Sequence, residues 1–242
     1  MSNEPWNFKK LDYSAFTKND LVNIILQRSD VLSRAGYNQK SIRNWMNGDE
    51  KLIHDVVEKL GTIIAVSALE IIYEEYCALK DLLTEIQPKH IADIGCGYAF
   101  FDFFAAHDFD AKLLLIDIEE NKLRHFGFND SGAAYANLET TTSFLTANGV
   151  AKSRIKTINP THQKISKRTK VDLIVSLISC GFHYPTDLYH EFFEENLTSG
   201  GRIILDIRAA QLTEEMKKLQ HIGPYEVISE AQKIARVMIT KK

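Results

Sequence analysis

The apolar positions along the chain change their period near residue 88. From Tyr13 to about Glu85 they recur at helical spacing, with Leu21, Ile24, Ile25 and Val31 in one segment and Leu52, Ile53, Val56, Val57 and Leu60 in another. Gly36-Tyr37-Asn38 and Asn47-Gly48-Asp49 punctuate these helices, and Asp30 stands where a cap or turn residue is expected. The run 61–83 predicts one long helix, and Pro88 marks the boundary after it. Beyond Pro88 short apolar runs alternate with helical stretches, the order of a parallel sheet covered by helices. Strands are expected over 90–94, 112–117, 154–157, 171–177 and 202–207, with helices over 99–107, 138–148 and 186–196. The β-rich runs 225–229 and 235–240 lie too close together for a helical crossover and predict an antiparallel hairpin. The expected organisation is an α/β domain over 86–242 with an all-helical attachment over 1–85.

Composition narrows the partners more than the fold. The chain has 242 residues, 29 Lys and Arg against 32 Asp and Glu, and a formal net charge of −3. Residues 1–85 carry 10 basic and 13 acidic side chains and residues 86–242 carry 19 of each, so neither part has the basic excess of a nucleic-acid footprint. Lys164, Lys167, Arg168 and Lys170 form the densest basic run and read as a solvated loop. Cys77, Cys96 and Cys180 are odd in number and widely spaced, which supports neither a disulfide framework nor a zinc site. The N-terminal residues lack the apolar stretch of a secretory signal, and the apolar run 60–73 is too short to span a bilayer. A cytoplasmic protein without membrane or nucleic-acid partners is expected.

The strongest chemical signal is Ile91-Ala92-Asp93-Ile94-Gly95-Cys96-Gly97-Tyr98-Ala99, a strand running through small residues into a helix. Gly95 and Gly97 permit positive φ angles and close approach to the backbone, and the helix that follows offers free N–H groups. The next strand ends at Asp117, where an acid can hold ribose hydroxyls. A dinucleotide fingerprint requires a third small residue at position 100, where this chain has Phe100, so a nicotinamide cofactor is disfavoured.

The spacing Asp93-x-Gly95-x-Gly97-x-Ala99 instead resembles the D/E-x-G-x-G-x-G signature of class I S-adenosylmethionine-dependent methyltransferases, with Ala99 in place of the last glycine. The resemblance covers about residues 86–242. Val171-Asp172-Leu173-Ile174-Val175-Ser176 is similar to that family's fourth strand, and Leu197-Thr198-Ser199-Gly200-Gly201-Arg202 to the lead-in to its fifth. It implies a Rossmann-like seven-stranded sheet closed by an antiparallel hairpin. It also implies S-adenosyl-L-methionine as cofactor, held by Asp93, Gly95, Gly97, Asp117, Ile118 and Ser176, with Glu119 and Glu120 as possible ribose neighbours. The acid that family often carries after strand three is missing from Ile158-Asn159-Pro160-Thr161-His162-Gln163, which leaves Asn159 or backbone groups for the adenine.

Ligands of open α/β sheets collect at the carboxyl ends of strands, which directs attention to Ser179-Cys180-Gly181-Phe182-His183-Tyr184-Pro185. His183 is the candidate base for a hydroxyl acceptor, since an unperturbed histidine titrates at about 6.5, and Tyr184 is a candidate substrate contact. This loop, with His125-Phe126-Gly127-Phe128 and the run 134–138, resembles a group of sugar O-methyltransferases. Arg43 and Trp45 are candidate acceptor contacts from a helical lid, and His54 is a second candidate base. Asp172 and Asp206 are the only acids that suggest a metal, and none is expected. The function expected is methyl transfer to a small acceptor, a sugar hydroxyl first. A small-amine N-methyltransferase and a non-catalytic cofactor-binding module are the alternatives.

Overall fold

The structure, a computed structural model, describes residues 6–119 and 136–242. Glu120, His125-Phe126-Gly127-Phe128 and Ala134-Tyr135 lie outside the described residues. Thr17 opens the helical half with a capping box, its hydroxyl accepting the Asp20 N–H while the Asp20 carboxylate accepts the Thr17 N–H. The helix so started, α1 (Lys18–Gln27), is followed by α2 (Asp30–Arg34), α3 (Lys40–Met46), α4 (Lys51–Leu60) and α5 (Ile63–Ile86). The first expected helical segment is thus two helices, because the chain leaves helical geometry at Arg28 (φ −132°, ψ 79°) and Asp30 begins the second. Helix α5 runs past the expected end to Ile86, where Gln87 turns left-handed (φ 52°) ahead of Pro88.

The sheet region follows as β1 (His90–Ile94), α6 (Phe100–Phe109), β2 (Lys112–Ile116), α7 (Leu138–Ala147), β3 (Ile155–Ile158), β4 (Val171–Ser176), α8 (His190–Asn196), β5 (Leu197–Arg208), α9 (Leu212–Leu219), β6 (Tyr225–Glu230) and β7 (Ile234–Thr240). The seven strands lie in the order β3-β2-β1-β4-β5-β7-β6. Strands β1 to β5 are parallel, and β7 runs antiparallel between β5 and β6. Two boundaries differ from expectation. Strand β5 begins at Leu197, because a register slip between the Val171–Leu197 and Leu173–Arg202 pairs absorbs the turn at Gly200 (φ 75°). The expected helix 186–196 divides into a 3₁₀ turn, Thr186–Tyr189, and α8. Helix α9 was not anticipated from the apolar spacing.

Helix α6 explains how the two halves meet. Its sequence, Phe-Phe-Asp-Phe-Phe-Ala-Ala-His-Asp-Phe, is apolar nearly all round, and a helix of that kind must be covered on every side. The sheet covers one face and the N-terminal helices the other. Phe104 meets Tyr73 at 4.8 Å and Tyr76 at 5.4 Å between ring centroids, and Phe103 meets Trp6 at 4.9 Å. One apolar core therefore runs continuously from Ile25, Leu32 and Leu69 through α6 to Leu113 and Val175 of the sheet. The face of α1 that borders this core is brought against the loop after β1.

Candidate active site

Strand order reverses between β1 and β4, and the loops after β1, β2 and β4 meet at the carboxyl ends of the strands. The loop after β1 turns through three left-handed residues, Gly95 (φ 78°), Gly97 (φ 54°) and Ala99 (φ 55°). Its backbone is fixed on both sides. The Gly97 N–H donates to the Asp117 carboxylate at 2.6 Å, and the Gly97 carbonyl accepts from the Thr141 hydroxyl at 3.1 Å. The Tyr98 hydroxyl donates to Asp20 at 2.8 Å, so Thr17's partner in the capping box of α1 also anchors the turn. A side chain on either glycine would collide with a neighbour. A Cβ on Gly95 would stand 1.9 Å from Ser179 Oγ, and one on Gly97 would stand 2.8 Å from Gln27 Oε1.

Three carboxyls surround this turn. Asp117 accepts N–H bonds from Gly97 and from Ile118 (2.7 Å), one on each oxygen, which leaves lone pairs on both. Burial pushes its pKa up to about 7, against an ordinary value of 3.8. Asp93 and Asp102 are buried and face each other within hydrogen-bonding reach. Neither oxygen of Asp102, nor Oδ1 of Asp93, has another hydrogen-bond partner. Two carboxylates cannot bond to each other without a proton between them. Burial, reinforced at Asp93 by the charge of Asp102, holds Asp93 well above the carboxylate range, and burial raises Asp102 to about 6.

The loop after β4 is equally constrained. The Ser176 hydroxyl donates to the Ile94 carbonyl at 2.6 Å and accepts the Cys180 N–H at 2.9 Å, which stitches β4 to β1. Ile178 is left-handed (φ 54°), a strained conformation for a β-branched residue. Its N–H donates to Asp206 at 3.2 Å, and Asp206, fully buried, is gripped by Arg236 at 2.7 and 2.8 Å. The Tyr184 and Ser179 hydroxyls lie 3.2 Å apart. The His183 N–H donates to the Ser179 carbonyl at 2.8 Å, fixing the turn that carries the imidazole.

A single cavity joins the two loops. Asp93, Gly95, Gly97, Asp117, Ile118, His183 and Tyr184 all line it. The other expected site residues lie elsewhere. Ser176 is buried beneath the loop, and Asn159 borders a second recess, where its amide donates to Glu119 at 3.3 Å. Arg43 is exposed and Trp45 half-buried on α3, and neither lines the cavity; nor does His54, beside Glu50 at 3.6 Å. The helical cover comes instead from α1 and α5, through Gln27, Arg28, Ala68, Ile72 and Glu75, none of which was singled out in the sequence. Asp172 accepts the Lys89 and His90 N–H groups, and Asp206 is committed to Arg236. Among the described residues no cluster of three or more His, Cys, Asp or Glu side chains is placed to hold a metal, and no helix is long and apolar enough to cross a membrane.

No protein-family model matches the chain, and no curated protein matches it by sequence. Solved structures do. A candidate O-methyltransferase from Nostoc punctiforme PCC 73102 superposes with a TM-score of 0.51 over 78% of this chain and 61% of that one, at 14% identity. The chain has the Rossmann-like methyltransferase fold. It spans about three-fifths of the length of the Nostoc protein, 61%. Looser likenesses to the methyltransferase fold include a candidate O-methyltransferase from Klebsiella pneumoniae (TM-score 0.47, 13% identity, 70% of this chain and 79% of that one). Another is the 16S rRNA N2 G1207 methyltransferase of T. thermophilus in complex with AdoMet and guanosine (TM-score 0.48, 14% identity, 72% and 43%).

Proposed function

We propose that this chain is an S-adenosylmethionine-dependent methyltransferase that acts on a hydroxyl of a small, uncharged acceptor of the sugar class. The observation that carries the reading is the cavity in which Asp117, bonded to the glycine turn, and His183, on the loop after β4, share one space. The cofactor fits these residues. Asp117 has lone pairs left on both oxygens for two ribose hydroxyls, and Ile118 and Asp93 line the cavity with it, Asp93 as the candidate contact near the methionine end. Asn159, in the adjoining recess, is the candidate contact for the adenine.

When bound, the cofactor supplies an electrophilic methyl group, and the protein's part is to align the acceptor and exclude water. His183 takes the acceptor's hydroxyl proton, Tyr184 shapes the floor of the site, and α1 and α5 roof it. That roof suits a small molecule better than a polymer. Free Cys77, Cys96 and Cys180 fit a reducing cytoplasm. The departure at Ala99 does not abolish the turn, since Ala99 takes the left-handed conformation a glycine would.

Calorimetric titration with S-adenosylmethionine and with NAD tests the cofactor. Binding of the first alone is expected, and Asp117→Ala should abolish it; unchanged affinity in that variant would remove the ribose role. With a methyl acceptor identified by screening sugars, His183→Ala should lower kcat by about 10²–10⁴-fold with little change in cofactor affinity. Loss of both together would make His183 a support of the fold.

A further inference from the structure

Arg28 closes α1 and Glu75 lies midway along α5, so the two side chains meet across the roof of the cavity and both line it. Arg28 Nη2 lies 2.5 Å from Glu75 Oε1, and the side chains are only 15% and 27% exposed. The pair joins the end of α1 to α5. A few residues away, on the surface, Arg34 joins α2 to α5 with one nitrogen at 2.7 Å from both oxygens of Glu74. Arg28, though paired with Glu75, keeps its Nε–H buried with no acceptor. A buried donor without a partner costs stability until an acceptor arrives.

The surroundings say which acceptor that is. Leu177 and Ile178, on the loop that carries His183, line the same cavity as the pair. Arg28 is the only lysine or arginine among the described residues lining the cavity, whereas Glu75, Asp93 and Asp117 are all acids there. With Arg28 already neutralised by Glu75, the lining offers no surplus positive charge for a phosphate or carboxylate. An ammonium group has donors and no lone pair, so it cannot satisfy the Arg28 Nε–H. A hydroxyl does both jobs, accepting from Arg28 and donating to Glu75.

We propose that Arg28 and Glu75 are the acceptor-reading pair of this site and that they recognise neighbouring hydroxyls of an uncharged polyol. The proposal rests on the methyltransferase reading above and adds the residues that select its substrate. A neutral ion pair held between apolar walls orients one pair of hydroxyls and leaves another group of the polyol to face His183.

The test is binding to protein loaded with S-adenosylhomocysteine, using methyl glucoside, glucose 1-phosphate and glucosamine as probes. Methyl glucoside is expected to bind best, and Arg28→Met and Glu75→Gln should each weaken it by about tenfold or more. Both variants should hold S-adenosylhomocysteine within about twofold of the parent, a readout that also shows they are folded. Equal methyl glucoside affinity in parent and variants, no binding of it by the parent, or preference for the phosphate or amine, overturns the proposal. A joint loss of S-adenosylhomocysteine would instead assign the pair to the cofactor and overturns it equally. Failure of the parent to bind S-adenosylhomocysteine is a failure of the methyltransferase reading, and methyl glucoside titrated into the unloaded protein and both variants then decides the pair on its own.

Discussion

Ala99 shows what a single substitution in a glycine turn does and does not change. Its methyl group stands where the signature has hydrogen, yet the residue holds φ 55° because the next peptide must enter α6 and the Ala99 N–H donates to the Cys96 carbonyl at 2.8 Å. A left-handed alanine carries a steric cost of about 1–2 kcal/mol, partly recovered on replacement because glycine is freer in the unfolded chain. Ala99→Gly is therefore expected to stabilise by about 0.5–1 kcal/mol, read from chemical denaturation, without loss of the cofactor. A destabilised variant would mean that the buried methyl contributes more packing than the strain it causes. Gly95 answers to a different constraint, since the atom that crowds it belongs to Ser179 of this chain.

Among the elements, the loop after β4 depends on a pair it does not contain. Ile178 stays left-handed because Asp206 on β5 receives its N–H, and Asp206 tolerates full burial only because Arg236 on β7 grips both of its oxygens. Removing the cation leaves an uncompensated buried carboxylate, so Arg236→Met is expected to cost about 3–5 kcal/mol. Adding Asp206→Asn to that variant should recover part of the loss in a thermal melt; no recovery would show that Arg236 acts through packing alone. The strands that build this corner were legible because β1, β2 and β4 are short apolar runs bounded by polar residues. The start of β5 was not, since the slip at Gly200 is set by its pairing with β4. Arg28, Gln27 and Glu75 escaped notice for a similar reason: on α1 and α5 they read as ordinary polar positions, and only the packing of α1 on α5 and of α5 on α6 turns them toward the site. The signal that finds them is α6 itself, whose all-round apolar sequence requires the N-terminal helices to lie beside the glycine turn.

At the scale of the whole molecule the carboxyls around the turn couple folding to pH. Asp117, with a pKa near 7, takes up protons in the folded chain that it would not hold when unfolded, and Asp93 and Asp102 act in the same direction. A raised carboxyl stabilises the fold fully below its ordinary value and loses that contribution as pH rises through the folded value. The unliganded protein should therefore melt at a lower temperature at about pH 8 than at about pH 5, with a shallower slope in Asp117→Asn. Ribose hydroxyls and a cationic cofactor both favour ionised Asp117, so affinity for S-adenosylmethionine should rise over the same interval. A pH-independent melting temperature in the parent would refute this linkage.

The contact between Ser179 and the missing side chain of Gly95 has a consequence for how the two ends of the cavity communicate. Ser179 occupies the space a Gly95 side chain would take, so the glycine turn and the loop bearing His183 and Tyr184 are packed together, and Ser176 ties the same two strands beneath. A ligand seated against one loop is therefore expected to change affinity at the other, which paired titrations with and without the second ligand would read. Thermodynamic reciprocity then fixes the size of the effect in both directions: whatever factor the cofactor adds to the acceptor's affinity, the acceptor adds to the cofactor's.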